Sequence, residues 1–389
     1  MFPHNYLQKN MNPAPLPVLE VSANTIGANL LIPHADYVKK LRPLLPDEAF
    51  LPDFGKVWIL LINLAILGLG WAIAAHLNQW HWYWLWLYLP LSAVMGNSVI
   101  VLLFSCHDLM HGSDTRHAWG FRLVSLLGLS ILWMPPTLWR AVHNREHHRN
   151  TNSDLDPDRN YLYQQPKTWG KWIQDQFVPS MEVSRLWLTV GMAHAWGVHT
   201  FRNMSSVLLF NTGEVNYVPA AFKVSRRERW AIARELVLIA AIHLGVLSYL
   251  HFDPIKLLLS YFLPLWIGYA GVMFYIYTNH MLSPMTAVND PLLNSVSLRV
   301  PHWIDQLHFN FSYHTEHHIF PGMNSDHYPK VQALLLQHYP ERFNLIPFPR
   351  VWRSMLETPR HYQDEQTFTT WSGEQSVPCP LTTQDALRT

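Results

Sequence analysis

Eight of the chain's 23 histidines fall into three tight clusters. His107 and His111 are spaced H-x3-H, His143, His147 and His148 are spaced H-x3-H-H, and His314, His317 and His318 are spaced H-x2-H-H. On a helix, residues three or four apart share a face, so each cluster aims at least two imidazoles at one point. Neutral imidazole is a borderline ligand suited to Fe, Zn, Cu or Ni. A structural zinc ion takes about four ligands, so eight histidines exceed the needs of one ion. Two metals, each with several imidazoles and an open position, fit the number. An all-nitrogen set without bridging thiolates suits an iron pair that binds and reduces dioxygen.

The absences narrow the chemistry further. No Glu-x-x-His occurs, which disfavours a carboxylate-bridged di-iron bundle, and no H-E-x-x-H occurs, which removes the usual zinc protease. The two cysteines, Cys106 and Cys379, lie in a histidine motif and near the polar C-terminus, so a structural disulfide is not expected. An internal iron–sulfur cluster would need about four ligands, so electrons must arrive from outside. Asp108, Glu146 and Glu316 sit inside the clusters. Each either accepts the second N–H of a ligating imidazole, fixing its orientation, or belongs to a solvated helix face. Asp154, Asp156 and Asp158 take the same role or form a turn around Pro157. His117, His302 and His308 fit no cluster and are read as ordinary polar residues, and His76 and His243 as hydrogen-bonding groups of a helix bundle.

The elements that must carry these residues are membrane spans. Charged residues make up 14% of the 389-residue chain, against about 25% in soluble domains. Apolar runs at 57–77, 82–104, 235–252 and 255–278 are each close to the roughly 20 residues that cross a hydrocarbon core. Short turns join them into two hairpins. Of 28 Lys and Arg residues, 27 lie outside those tight turns, Lys256 being the exception, so the positive-inside rule puts both termini and the middle segment in the cytosol. Trp80, Trp82, Trp84 and Trp86 mark an aromatic belt at the opposite interface. Two shorter runs, Phe121 to Met134 and Leu186 to Val198, are expected to lie on the membrane surface. The first ten residues lack a signal-peptide core, so no cleavage or export is expected. The net charge of +1 and the lack of a dense basic run point away from nucleic acid. The expected fold is thus an all-α membrane protein. Four transmembrane helices form two hairpins under a cytosolic helical cap that carries the three histidine boxes. Residues 1–50 form a cytosolic N-terminal segment, 51–350 the membrane domain, and 351–389 a polar C-terminal tail.

The order of the boxes, with one hairpin before the first and another between the second and third, closely resembles membrane fatty acid desaturases and their relatives. Asn150-Thr151-Asn152 with Asp156-Pro157-Asp158, and Phe311-Ser312-Tyr313 before the last box, extend the resemblance over about residues 50 to 350. It implies that the boxes hold two irons and that a further histidine after the fourth span joins them; His280 occupies that place. Some relatives hold a water through an asparagine several residues before that histidine, whereas here Asn279 is adjacent to it. The resemblance also implies dioxygen as co-substrate and hydrogen removal from an unactivated C–H bond of a lipid. The expected reaction is introduction of a double bond into a fatty acyl chain, carried as an acyl lipid or acyl thioester. Hydroxylases, carotenoid ketolases and alkene-forming relatives share the boxes, and a metal transporter with cytosolic histidines is a third reading. No His-Pro-Gly-Gly haem motif and no nucleotide-binding glycine fingerprint occur, so a separate ferredoxin or cytochrome b5-type donor is expected. Lys223 to Arg229 is a candidate docking strip or a membrane-flanking basic run.

Overall fold

The structure, a computed structural model, describes residues 25–26, 29–51, 53–112, 119–158, 171–172, 174–209 and 222–382. His117 lies outside them. Four helices are long and apolar enough to cross a bilayer: Gly55–Gln79, Trp82–His111, Arg226–Tyr249 and Pro254–His280. They coincide with the four expected spans, but their ends differ in an informative way. The second helix runs seven residues past the apolar stretch, to His111, and the third begins at Arg226, nine residues before its apolar stretch. Hydropathy ends where lipid ends, whereas the helix continues for as long as its hydrogen bonds are satisfied. At Arg226 a capping box does this: the Ser225 hydroxyl accepts from Glu228 N and the Glu228 carboxylate from Ser225 N.

Much of the apolar surface of the first, third and fourth spans faces outward. Leu61, Ile62 and Leu69 of the first span, Val237, Leu238 and Leu244 of the third, and Leu258 and Phe262 of the fourth are all exposed. A lipid environment accounts for such exposure, whereas in water it would be an aggregation surface. Trp82, Trp84 and Trp86 are also exposed, at the turn of the first hairpin. The second and fourth spans form the centre of the bundle and run parallel. A Cβ on Gly96 would lie 2.6 Å from Ile267, and one on Gly268 would lie 2.5 Å from Val99 and 3.0 Å from the Gly96 carbonyl. Only glycine permits this approach, which brings the ends of the two helices side by side.

The helix Trp119–Ser130, at 12 residues, is too short to cross. The second surface run is longer than the apolar pattern suggests. It forms a 24-residue helix, Arg185–Leu208, of which the expected 13-residue stretch is the first half. His199, Arg202 and Asn203 continue the helix while removing the apolar signal. This helix lies against the fourth span, where Trp266 Nε1 donates to the Val190 carbonyl at 2.9 Å.

A cap covers the histidine-bearing end. Tyr37 and Leu41 of helix His34–Leu41, with Leu45 and Ala49, pack on Ile319, Phe320, Met323 and Tyr328 around the third box. Buried Asp290 fastens this layer, accepting from Tyr37 Oη at 3.0 Å, Ile32 N at 2.9 Å and Arg342 Nη2 at 2.6 Å. The segment read as a polar tail is folded: His361–Asp364, Thr367–Thr369 and Ser376–Pro378 form an antiparallel sheet whose Tyr362 and Phe368, with Cys379 and Leu381, are buried.

Candidate metal centre

The nine histidines singled out from the sequence meet at one end of the bundle. His107 and His111 occupy the last turns of the second span, and His280 is the final residue of the fourth. His314, His317 and His318 lie on the short helix His314–Ile319. The second box is built differently. Pro136–Trp139 and His148–Asn150 are α-helical, and the stretch between them, Arg140–His147, is π-helical. The Glu235 carboxylate of the third span caps the start of this helix, accepting from Thr137 N at 2.9 Å and from Thr137 Oγ1 at 2.6 Å. π-Bulges often mark functional sites, and this one changes which imidazoles converge. His143 and His148, five residues apart, bring their Nε2 atoms to 3.2 Å.

Two sets result. His107, His111, His143, His148 and His317 offer ligand atoms within 4.8 Å of one another, as do His147, His280 and His318. His314 joins the second set, its Nε2 lying 2.7 Å from His280 Nε2 and 3.1 Å from His318 Nε2. In the first set the Nε2 atoms of His143 and His107 are 3.0 Å apart, and those of His317 and His148 3.1 Å. Two nitrogens sharing an ion at about 2.0–2.1 Å would sit roughly 3 Å apart. Burial, with neighbouring imidazoles adding to it, pushes His143, His148, His314, His317 and His318 well below the ordinary histidine range. That direction favours the neutral form of these five rings, the state in which imidazole ligates a metal.

Contacts on the far side of the rings fix several tautomers. The Asp156 carboxylate, with no exposed surface, accepts from His147 Nδ1 at 3.0 Å and is itself held by the backbone N–H groups of Asn152 and Asp158. His280 Nδ1 donates to the Asn294 carbonyl at 3.0 Å. The Thr151 hydroxyl gives its proton to the His147 carbonyl, leaving its oxygen to accept from His318 Nδ1 at 3.4 Å. His317 Nδ1 pairs with Tyr328 Oη at 2.9 Å. With the proton on Nδ1, the Nε2 lone pairs of His147, His280 and His318 point into their set.

The other carboxylates separate into distinct roles. Asp108 lies 3.5 Å from His107 Nδ1 and 3.8 Å from buried Lys56 Nζ. Glu146 bonds to Arg145 and Asn150, away from the imidazoles. Glu316 is buried on the reverse face of its helix, where it accepts from Ser297 and Gln332; burial pushes its carboxyl up to about 7. Asn279 is fully buried, and neither side-chain polar atom has a hydrogen-bond partner among the described residues. His302 is exposed, and His308 bonds Tyr275 Oη and Asn97 Oδ1 at 2.9 and 3.1 Å. His243 donates to the Ser130 carbonyl and accepts from Tyr261. Sequence reasoning missed Thr151, Tyr328 and Asn294 as partners of the rings; the Asn150-Thr151-Asn152 motif was the available signal for the first. It also missed His199, which faces Asp158 at 3.6 Å from a helix with no motif.

Nine converging imidazoles, with the Nε2 atoms of His147, His280 and His318 oriented by partners behind their rings, fit a pair of nitrogen-liganded ions, one per set. Trp139, stacked on His143 at 4.7 Å, and Phe311, 5.1 Å from His107 and 5.4 Å from His314, give the centre apolar walls. These histidines sit at helix ends instead of along the middle of the spans, unlike the sites of most transporters.

Comparison with known proteins agrees with this geometry. Residues 81–348, more than half of the chain, match the fatty acid desaturase family model. The chain is similar to the sn-1 oleoyl-lipid 12-desaturase of Anabaena variabilis, with 31% identity over 169 residues covering 42% of this chain and 45% of that one. The protein of the same name from Arthrospira platensis is 24% identical over 42% of each chain, so these two matches span less than half of the relatives' length. The sn-1 oleoyl-lipid 12-desaturase of Picosynechococcus sp. is 24% identical over 91% of this chain and 99% of its own. With the family match extending over all three histidine boxes and the second, third and fourth spans, the chain belongs to the fatty acid desaturase family.

Proposed function

We propose that this chain is an acyl-lipid desaturase, which uses dioxygen and two external electrons to remove two hydrogens from adjacent carbons of a membrane lipid's acyl chain. The observation that carries the reading is the sorting of nine histidines, seven buried and two half-buried, into two adjacent sets within a family-matched membrane frame. His107, His111, His143, His148 and His317 would hold one iron, and His147, His280, His314 and His318 the other. When bound, the irons supply the oxygen activation that no side chain can provide. The residues of the chain do the rest. Asp156, Asn294 and Thr151 hold ligand rings in orientation, and Trp139 and Phe311 keep water from the reacting carbon. Asp108 supports His107. Asn279, buried beside His280 with its amide unpartnered among the described residues, is suited to holding a water or an oxygen ligand there.

The lipid-facing surfaces of the spans support entry of the substrate from the bilayer. The relatives' names support an oleoyl lipid as substrate and the 12 position as the site of the new double bond. The distribution of Lys and Arg supports a cytosolic position for both termini and for the metal centre, where a separate ferredoxin or cytochrome b5-type donor would deliver electrons. The test is expression in a host that makes monounsaturated lipids, together with a reductant system, followed by fatty acid analysis. A new diunsaturated chain is expected. A hydroxylated product would move the chain to the hydroxylases on the same scaffold, and an unchanged profile in the presence of full iron would sink the substrate assignment.

A further inference from the structure

Arg360 is among the largest buried side chains of the molecule and lies outside every histidine box. Its guanidinium donates to main-chain carbonyls: Nη1 to Met281 at 2.7 Å, Nη2 to Met355 at 2.8 Å and Nε to Pro179 at 3.0 Å. Nη2 also reaches Thr358 Oγ1 at 2.9 Å, and the group lies 5.0 Å from the ring of Phe368. Met281 is the C-cap of the fourth span, directly after His280, and Met355 lies in the last turn of helix Phe348–Glu357. The last carbonyls of a helix have no partners within it and carry its negative end. One buried cation thus closes two helix ends and ties the C-terminal segment to the residue following His280.

The sheet that begins after Arg360 continues the same connection. Tyr362 Oη donates to the Ser283 carbonyl at 2.7 Å, Met285 N to the Glu365 carbonyl at 2.8 Å, and Leu381 N to the Leu282 carbonyl at 3.4 Å. The segment 281–286 then leads to Thr286, whose hydroxyl donates to Asn294 Oδ1 at 2.9 Å. Asn294 in turn accepts from His280 Nδ1. His280 is therefore held twice, through its backbone at Met281 and through its ring at Asn294, and the C-terminal segment fastens the loop between those two points.

We propose that Arg360 and the sheet from His361 to Pro378 are a positioning strap for the His147, His280, His314 and His318 set. The strap acts on metal retention in that set and leaves the other set untouched. It rests on the reading of His280 as a ligand. Arginine suits the role because its planar fork reaches separated acceptors, whereas a lysine ammonium offers its donors from one point.

The test uses the full-length protein in detergent, measuring iron per chain and its release to a ferrous chelator. R360M should insert and keep its helix content, while one of the two irons is released about 10- to 100-fold faster, the range seen when groups behind ligands are removed. R360K should fall between R360M and wild type. Combined with H280A, R360M should add no further loss; combined with H107A, it should empty both sets. Wild-type iron release in R360M, or an H107A/R360M double variant no worse than H107A, overturns the strap. If R360M does not accumulate, Y362F, which loses the Ser283 contact, and R360K decide the matter, and wild-type release in both overturns it. An H280A variant that retains two irons withdraws the ligand assignment itself, and the strap with it.

Discussion

Asp156 offers the sharpest measure of how the centre depends on groups behind its ligands. Its carboxylate accepts from His147 Nδ1 and from two backbone N–H groups, and no part of it is exposed. Asp156→Asn keeps the shape but removes the charge and replaces one acceptor by a donor. A hydrogen bond to a charged group contributes about 1.5–3 kcal/mol and a neutral one about 0.5–1.5 kcal/mol, so the exchange costs about 1–1.5 kcal/mol at His147. That corresponds to about tenfold in affinity for the ion held with His280, His314 and His318. The amide also faces a backbone N–H with its own NH2, which adds about 1–3 kcal/mol of instability from an unsatisfied buried group. Asp156→Ala leaves all three donors without their acceptor, and its metal loss should approach the upper end of the 10- to 100-fold range. Iron per chain is to be measured in a chelator titration, with thermal unfolding monitored in parallel. Asn and Ala variants that hold both irons at wild-type affinity, or that lose both together, would refute the tie between Asp156 and a single set.

Further outcomes follow from the same geometry. His147→Ala and His318→Ala should each deplete one ion and their double variant should add little, whereas His147→Ala with His148→Ala should deplete both; additive loss in the first pair sinks the division into sets. His280→Ala should lower iron occupancy and abolish lipid oxidation while exposed His302→Ala leaves both near wild type, and equal behaviour removes His280 from the site. Single cysteines introduced at Gln79 and Glu357 should be labelled from opposite faces of the membrane; labelling from one face overturns the four-span topology. Burial lowers His308 and His361 to about 4 from 6.5, so the unfolded chain takes up protons first. The stability present above pH 6.5 should therefore be lost as pH falls toward 4. His361→Gln should flatten that loss in a series of melting temperatures, and an unchanged slope contradicts the assignment.

The spans were legible because lipid imposes a long apolar run that nothing else in a sequence imitates. Helix ends were not, because Arg226 to Arg234 and Cys106 to His111 are helical for reasons of capping and packing that hydropathy does not register. The C-terminal sheet was read as a tail because its buried residues, Tyr362, Phe368 and Cys379, are separated by long polar intervals and only pack once 281–286 is beside them. Among the carboxylates, position within a box proved a poor guide to contact. Glu146 and Glu316 lie inside boxes and turn away from the imidazoles, while Asp156, eight residues beyond His148, grips His147. A helix face is set by its angular spacing, and a residue adjacent in sequence to a ligand points about 100° away from it.

The same angular argument explains why doublets appear in two of the three boxes. Neighbours on a helix diverge too far for both rings to reach one point, so a His-His pair serves one ion poorly and two adjacent ions well. His147 and His148 divide between the sets, and so do His317 and His318, in the crossed sense: His147 lies with His318, and His148 with His317. The first box has no doublet, and His107 and His111, one turn apart, face the same set. In the third box His314 and His318 share a face and a set in the ordinary i, i+4 manner. The second box would follow that rule too and pair His143 with His147, but its π-helical register pairs His143 with His148. That shift gives the first set its His143–His148 pair and turns His147 toward Asp156 and His280. The two histidine sets are thus written in the chain as two doublets, and the local winding of one helix decides how the first of them is shared.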